Sequence, residues 1–143
     1  MGPIDFDEII KAGTLFEFKV MNHYYDLYSG KLSRLQAHAL ALVCDNPGLL
    51  SKDIARMQNV PKQYASQIVK KLLADGLIYN KPGAKDRRTQ LLYPTKLGKE
   101  VLAEFTAKSN ADFLEKTSVL TSDEMEQLVS AFSTLRRLLE KIE

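Results

Sequence analysis

Two short amphipathic stretches lie almost back to back in the middle of this chain, "SKDIARMQ" and "PKQYASQIVKKLLADG", with only "NV" between them. In the first, Ile54 and Ala55 face inward; in the second, Ala65, Ile68, Val69, Leu72 and Leu73 follow the helical period and leave a polar outer face. After Gly76 the period changes from helix to strand: "LIYNK" and "TQLLYP" are short strand candidates separated by "PGAKDRR". Two short helices followed at once by a β-hairpin leave few topologies open. Taken alone, the helix pair fits a helix-turn-helix or an ordinary helical hairpin; the added strand pair favours a winged helix-turn-helix.

Charge marks the same segment. From Lys52 to Lys99 there are 11 Lys/Arg against 3 Asp/Glu, a net +8, whereas the rest of the chain is net −6 and the whole is +2. The loop 81–88 holds Lys81, Lys85, Arg87 and Arg88 against the single acid Asp86. A basic centre between acidic ends matches the footprint of a polyanion such as nucleic acid. The outer face of the second helix bears Lys62, Gln63, Tyr64, Ser66, Gln67, Lys70 and Lys71, amides and hydroxyls suited to base edges and lysines suited to phosphates.

The flanks read as helices. From about Asp7 to Ser29 a wide apolar stripe runs through Ile9, Ile10, Phe16, Val20, Tyr24 and Leu27, and Gly30 ends it. Ser33 and Gln36 form a capping box for a second helix to about Cys44. Ser51 is placed to cap the third, and Pro61 to occupy the first position of the fourth. Thr95 caps a further helix with Leu97, Val101, Leu102 and Phe105 inward, and Thr121 with Glu124 boxes the last, which carries Phe132, Leu135 and Leu139 along one seam. Neither terminal stripe finds enough cover in so short a chain. We expect Phe6, Ile9, Ile10, Phe132, Leu135 and Leu139 to meet a second copy, the alternative being that the two ends close on themselves in a monomer.

The composition excludes several classes. No apolar run approaches the roughly 18 residues of a membrane span, and the acidic N-terminus is unlike a secretory signal, so a soluble cytoplasmic protein is expected. Cys44 is the one cysteine, which rules out a disulfide within the chain, and with only His23 and His38 no metal site or cofactor is expected. His38 on an apolar helix reads as a core or boundary residue, and Cys44, without a neighbouring cation, as a small apolar one. No nucleophile and base, phosphate loop or acid pair points to an enzyme.

The stretches "NPGLLSKDIARMQNVPKQYASQIVKKLLADGLI" and "KDRRTQLLYPTKLGKEV" resemble the helix-turn-helix and wing of the MarR family of bacterial winged-helix regulators, with Asp86-Arg87-Arg88 in the place of the family's Asp-x-Arg signature. The resemblance implies a mainly α fold with a small β-hairpin. It implies a single MarR-type domain over 1–143, with a DNA-binding lobe about 33–98 and dimerisation helices about 6–30 and 99–143. The implied function is a repressor that binds a near-palindromic double-stranded operator as a homodimer and is released by a small aromatic ligand. Arg88 would enter the minor groove, held by Asp86, while Arg87 and Lys85 meet phosphates. Ser51, Lys62, Gln63, Tyr64, Ser66, Gln67 and Lys70 would complete the DNA surface, and His23, Tyr24 and Tyr28 would line an effector crevice. Two alternatives stand beside this reading: a winged helix that binds protein instead of DNA, and a regulator that senses oxidants through Cys44.

Overall fold

The computed structural model describes residues 5–22 and 32–142. Among the described residues the order is α1 Phe6–Phe16, α2 Arg34–Asp45, α3 Ser51–Gln58, α4 Lys62–Ala74, β1 Ile78–Pro82, β2 Gln90–Pro94, α5 Lys96–Lys116 and α6 Ser122–Leu139. The fold is mainly α with one antiparallel hairpin. The chain divides within α5 into two compact units, residues 1–109 and 110–143.

In the first unit α1 starts at Asp5, whose carboxylate accepts a hydrogen bond from the Glu8 N–H at 3.3 Å. Its end passes into a π-helical turn, Glu17–Met21, a wider winding than the α-helix. No side chain of α1 is buried. The rest of the expected helix, including Gly30, lies outside the described residues.

Helix α2 begins with the expected capping box: Ser33 Oγ accepts from the Gln36 N–H at 3.2 Å, and Gln36 Oε1 accepts from the Ser33 N–H at 2.9 Å. Its Ala37, Ala39, Leu40 and Val43 enter the core. There they meet Ile54 from α3, Ile68 and Leu72 from α4, and Ile78 and Leu92 from the hairpin. Truncating any one of the fully buried members, such as Leu40 or Leu72, would cost about 2–5 kcal/mol.

Two helix starts differ from the sequence expectation. Ser51 does not cap α3. Leu50 holds the extended cap conformation (φ −98°, ψ 156°), and the Asp53 carboxylate reaches back to accept the Leu50 N–H at 3.0 Å. A carboxylate in the first turn also suits the positive end of the helix, so the serine was not needed there. Pro61 sits one residue earlier than expected, at the cap with φ −58° and ψ 147°, and α4 starts at Lys62. Between the two helices Asn59 takes a left-handed conformation (φ 52°), which asparagine tolerates better than most side chains.

Helix α4 ends in a Schellman motif. Gly76 (φ +70°) donates to the Leu73 carbonyl at 3.1 Å and Leu77 donates to that of Leu72 at 3.0 Å, turning the chain straight into β1. In the hairpin Ile78 pairs with Pro94, Tyr79 with Tyr93, Asn80 with Leu92, Lys81 with Leu91 and Pro82 with Gln90. One contact was not expected from the sequence: Leu49, in the "DNPGLL" turn, bridges to Leu92, with Leu92 N–H to Leu49 O at 2.8 Å and Gly48 N–H to Leu92 O at 2.7 Å. This ties the entrance of the helix-turn-helix to the wing.

Thr95 locks the exit of the hairpin. Its hydroxyl donates to the Gly76 carbonyl at 2.6 Å and accepts from the Gly98 N–H at 2.9 Å, capping α5. The helix backbone comes so near that a Cβ built on Gly98 would lie 2.0 Å from the Leu77 carbonyl oxygen. Facing Gly98 inward turns its predecessor outward, since successive helical residues are rotated by about 100°. Leu97, expected in the core, is therefore 49% exposed, while Val101 and Leu102 pack on the core and Phe105 is buried.

In the second unit Thr117 closes the end of α5 by donating to the Phe113 carbonyl at 2.7 Å. Helix α6 opens with the expected box, Thr121 Oγ1 accepting from Glu124 N–H at 3.2 Å and Glu124 Oε2 from Thr121 N–H at 2.8 Å. No side chain of α6 is buried.

Candidate nucleic-acid interface

The outer face of α4 is exposed along its length, at Lys62, Gln63, Tyr64, Ser66, Gln67 and Lys70, while the opposite face anchors the helix in the core. Four-residue spacing sorts these side chains into rows, Lys62–Ser66–Lys70 and Gln63–Gln67. Lys71, the seventh member of the expected face, is engaged with Asp75 at 3.1 Å along its own helix. Tyr64 is 44% exposed, an apolar ring with a polar tip standing on this surface.

Helix and wing share one wall. Ser51, Ser66, Gln67 and Lys70 line an open cleft of about 400 Å³ whose far side is Asn80 and Gln90 of the hairpin, with Leu73 and Leu92 among its apolar lining. The sequence reading placed Ser51 here but missed Asn80 and Gln90. Their signal lies in the strand register: Asn80 and Pro82 of β1 sit opposite Leu92 and Gln90 of β2, so these share the face of the hairpin that carries the buried Leu92.

On the alternate face Tyr79 and Tyr93 stack with ring centroids 5.6 Å apart, and Lys81 Nζ lies 5.6 Å and 5.4 Å from the two centroids. Lys81 is thus steadied by two aromatic rings and stands apart from the other wing cations.

The wing tip is built by Asp86. Its Oδ1 accepts the Arg88 main-chain N–H at 2.9 Å, and its carbonyl accepts the Thr89 N–H at 3.1 Å. Gly83 N–H donates to Thr89 O at 2.8 Å, and a Cβ on Gly83 would lie 2.8 Å from the Asp86 carbonyl oxygen. It is the main chain of Arg88, not its guanidinium, that Asp86 holds in this structure. Lys85, Asp86, Arg87 and Arg88 are all exposed. Among the described residues no carboxylate forms an ion pair with Lys62, Lys70, Lys85, Arg87 or Arg88, whereas Arg56, Lys71 and Lys96 each have one.

The remaining expected residues fall elsewhere. Phe6, Ile9, Ile10, Leu135 and Leu139 are exposed and Phe132 is partly buried, on α1 and α6. His23, Tyr24 and Tyr28 lie outside the described residues. Cys44 packs half-buried against the core; burial, with Asp45 beside it, pushes its thiol above the usual cysteine range and Lys99 only partly opposes this. A raised thiol is mostly protonated at neutral pH and a poor nucleophile. Burial, then Arg34, lowers the pKa of His38. Among the described residues no group of three or more His, Cys, Asp and Glu is placed to hold a metal ion, and no helix is long and apolar enough to cross a membrane.

Residues 31–89, the helix-turn-helix and most of the wing, match the MarR family model. Over these residues the chain is similar to the MarR family. The HTH-type transcriptional regulator YybA of Bacillus subtilis (strain 168) is 27% identical over 110 residues, covering 77% of this chain and 73% of that one. Two solved structures share the winged-helix fold at low identity. Wild-type MarR from E. coli in its apo form has a TM-score of 0.73 at 17% identity, over 94% of this chain and 98% of that one. Streptococcus pneumoniae FabT in complex with DNA has 0.71 at 16%, over 97% and 100%. The chain thus has the winged-helix fold that the hairpin after α4 suggested.

Proposed function

We propose that this chain is a MarR-family transcriptional regulator that binds duplex DNA sequence-specifically as a homodimer, with α4 in the major groove and the 83–89 tip in the adjacent minor groove. The observation that carries this reading is the set of exposed cations on α4 and the wing tip, Lys62, Lys70, Lys85, Arg87 and Arg88, none of which has an acidic partner among the described residues. Unneutralised cations gain most from phosphates, because each contact releases condensed counterions. Ser66, Gln63, Gln67 and Tyr64 add hydrogen-bonding groups that phosphate contacts alone would not need. The solved complex of the structurally similar FabT with DNA supports DNA binding by this chain.

The exposed apolar stripes of α1 and α6 support self-association. Phe6 is 66% and Leu139 52% exposed, and large side chains in such runs mark interaction surfaces. A homodimer presents two copies of α4, which calls for a near-palindromic site with half-sites about one helical turn apart. We read the regulator as a cytoplasmic repressor that blocks its operator when bound and is released by a small aromatic ligand.

Selection of bound fragments from random duplex DNA tests the proposal. A palindromic motif is expected; recovery without any enriched motif contradicts sequence-specific binding and favours a winged helix that binds protein.

A further inference from the structure

Ser66 stands in the middle of the exposed row Lys62, Ser66, Lys70, and its Oγ lies 2.9 Å from the Lys62 carbonyl oxygen. A backbone carbonyl only accepts hydrogen bonds, so the Ser66 hydroxyl must be the donor and its single proton is directed at its own helix. What the side chain turns outward is its lone pairs. The neighbours differ: Lys62 and Lys70 only donate, and Gln63, Gln67 and Tyr64 offer both a donor and an acceptor.

We infer that Ser66 is a specificity-determining residue that presents a hydrogen-bond acceptor to the major groove and selects an exocyclic amino group, adenine N6 or cytosine N4, at one position of each half-site. This rests on the duplex-binding reading above. A serine free to rotate reads a keto oxygen as readily as an amino group. Here, pointing the proton at a keto oxygen breaks the bond to Lys62, so the two are no longer equivalent. The lysines four residues to either side reinforce the choice, since they supply donors next to the acceptor and suit neighbouring keto, N7 or phosphate oxygens and nitrogens. Every base pair carries one amino group in the major groove, but its place in the groove differs from pair to pair, so a fixed acceptor distinguishes them.

The test uses the full chain as wild type, Ser66→Ala and Ser66→Thr, each selected against the same random duplex pool. Ser66 is exposed and alanine is a strong helix former, so the alanine variant folds. Ser66→Ala is expected to relax one position per half-site, leave the others intact and bind the wild-type motif roughly five- to a hundredfold more weakly. Ser66→Thr, whose hydroxyl can make the same backbone bond, is expected to keep the preference. At the relaxed position, deleting the amino group with purine for adenine, or 2-pyrimidinone for cytosine, should weaken wild type and leave Ser66→Ala unaffected beyond the loss of base pairing common to both proteins. Replacing the purine at that pair by its 7-deaza analogue should not discriminate between the two proteins. An unchanged Ser66→Ala motif, an equal cost of amino deletion for both proteins, or a 7-deaza effect confined to wild type overturns the assignment while leaving duplex binding intact. A wild type that enriches no motif removes the duplex-binding reading and this one with it.

Discussion

The Asp86 carboxylate accepts a hydrogen bond from the main-chain N–H of Arg88 at 2.9 Å, two residues ahead of it in the wing tip. Such a bond folds the loop the way a backbone turn would, and it needs a side-chain oxygen rather than a charge. Asp86→Asn keeps that oxygen and removes a negative charge from a surface proposed to face phosphates, so it should bind DNA as tightly as wild type or more tightly. Asp86→Ala loses the turn and should bind about fivefold more weakly, the worth of one hydrogen bond of about 1 kcal/mol. Fluorescence anisotropy on one duplex compares the three. Equal losses for Asn and Ala would mean that the charge itself positions an arginine.

Gly98 and Gly83 separate global from local damage. A Cβ at Gly98 collides with the Leu77 backbone at 2.0 Å, where neither α5 nor the hairpin can give way without disturbing Thr95. Gly98→Ala should destabilise the fold by about 1–3 kcal/mol or more, seen as a lower midpoint in chemical denaturation. Gly83→Ala meets Asp86 O at 2.8 Å in an exposed tip that can shift. Its midpoint should stay near wild type while DNA affinity falls.

Leu135 and Leu139 are 48% and 52% exposed, so polar replacements should cost the single chain little. If a second copy covers them, each loses up to roughly 1.5–3 kcal/mol of burial in the dimer. Leu135→Gln with Leu139→Gln should sediment as a folded monomer; an intact dimer would place the interface on other residues.

His38 contributes a pH dependence with a definite sign. Its pKa is lowered in the folded chain, by burial first and Arg34 second, so the unfolded chain takes up the proton at higher pH. Stability is then full above the ordinary histidine value of about 6.5 and falls as pH drops through it toward the folded value. Denaturation midpoints at pH 7.5 and 5.5 should differ less for His38→Gln than for wild type. An identical pH response in both would remove His38 as a cause.

What the sequence made legible was local. The two Ser/Thr capping boxes, the buried row of α4, the Gly76 stop and the β-hairpin each follow from residues close together in the chain, and all are present. The α3 start was misread because a Ser at the right place is a plausible cap, whereas the cap used is Asp53, acting from inside the helix. Non-local features were not legible. The Leu49–Leu92 bridge, the Gly98 approach to Leu77 and the cleft wall of Asn80 and Gln90 depend on segments far apart in the chain. At the candidate site the residue types were readable, but their hydrogen-bond states were not. That Asp86 holds a main chain, that Ser66 spends its proton on Lys62 and that Lys81 rests on two tyrosines are facts of geometry.

The most direct test of duplex binding through the wing is a salt titration of operator affinity for wild type and a folded Arg88→Ala dimer, using the motif obtained by selection. Wild type should show a steep linear fall of log affinity with log salt, with a slope of about −0.9 for each phosphate neutralised. Arg88→Ala should bind more weakly at every salt concentration. Wild-type affinity together with a wild-type slope in Arg88→Ala would show that the wing does not carry the interaction assigned to it.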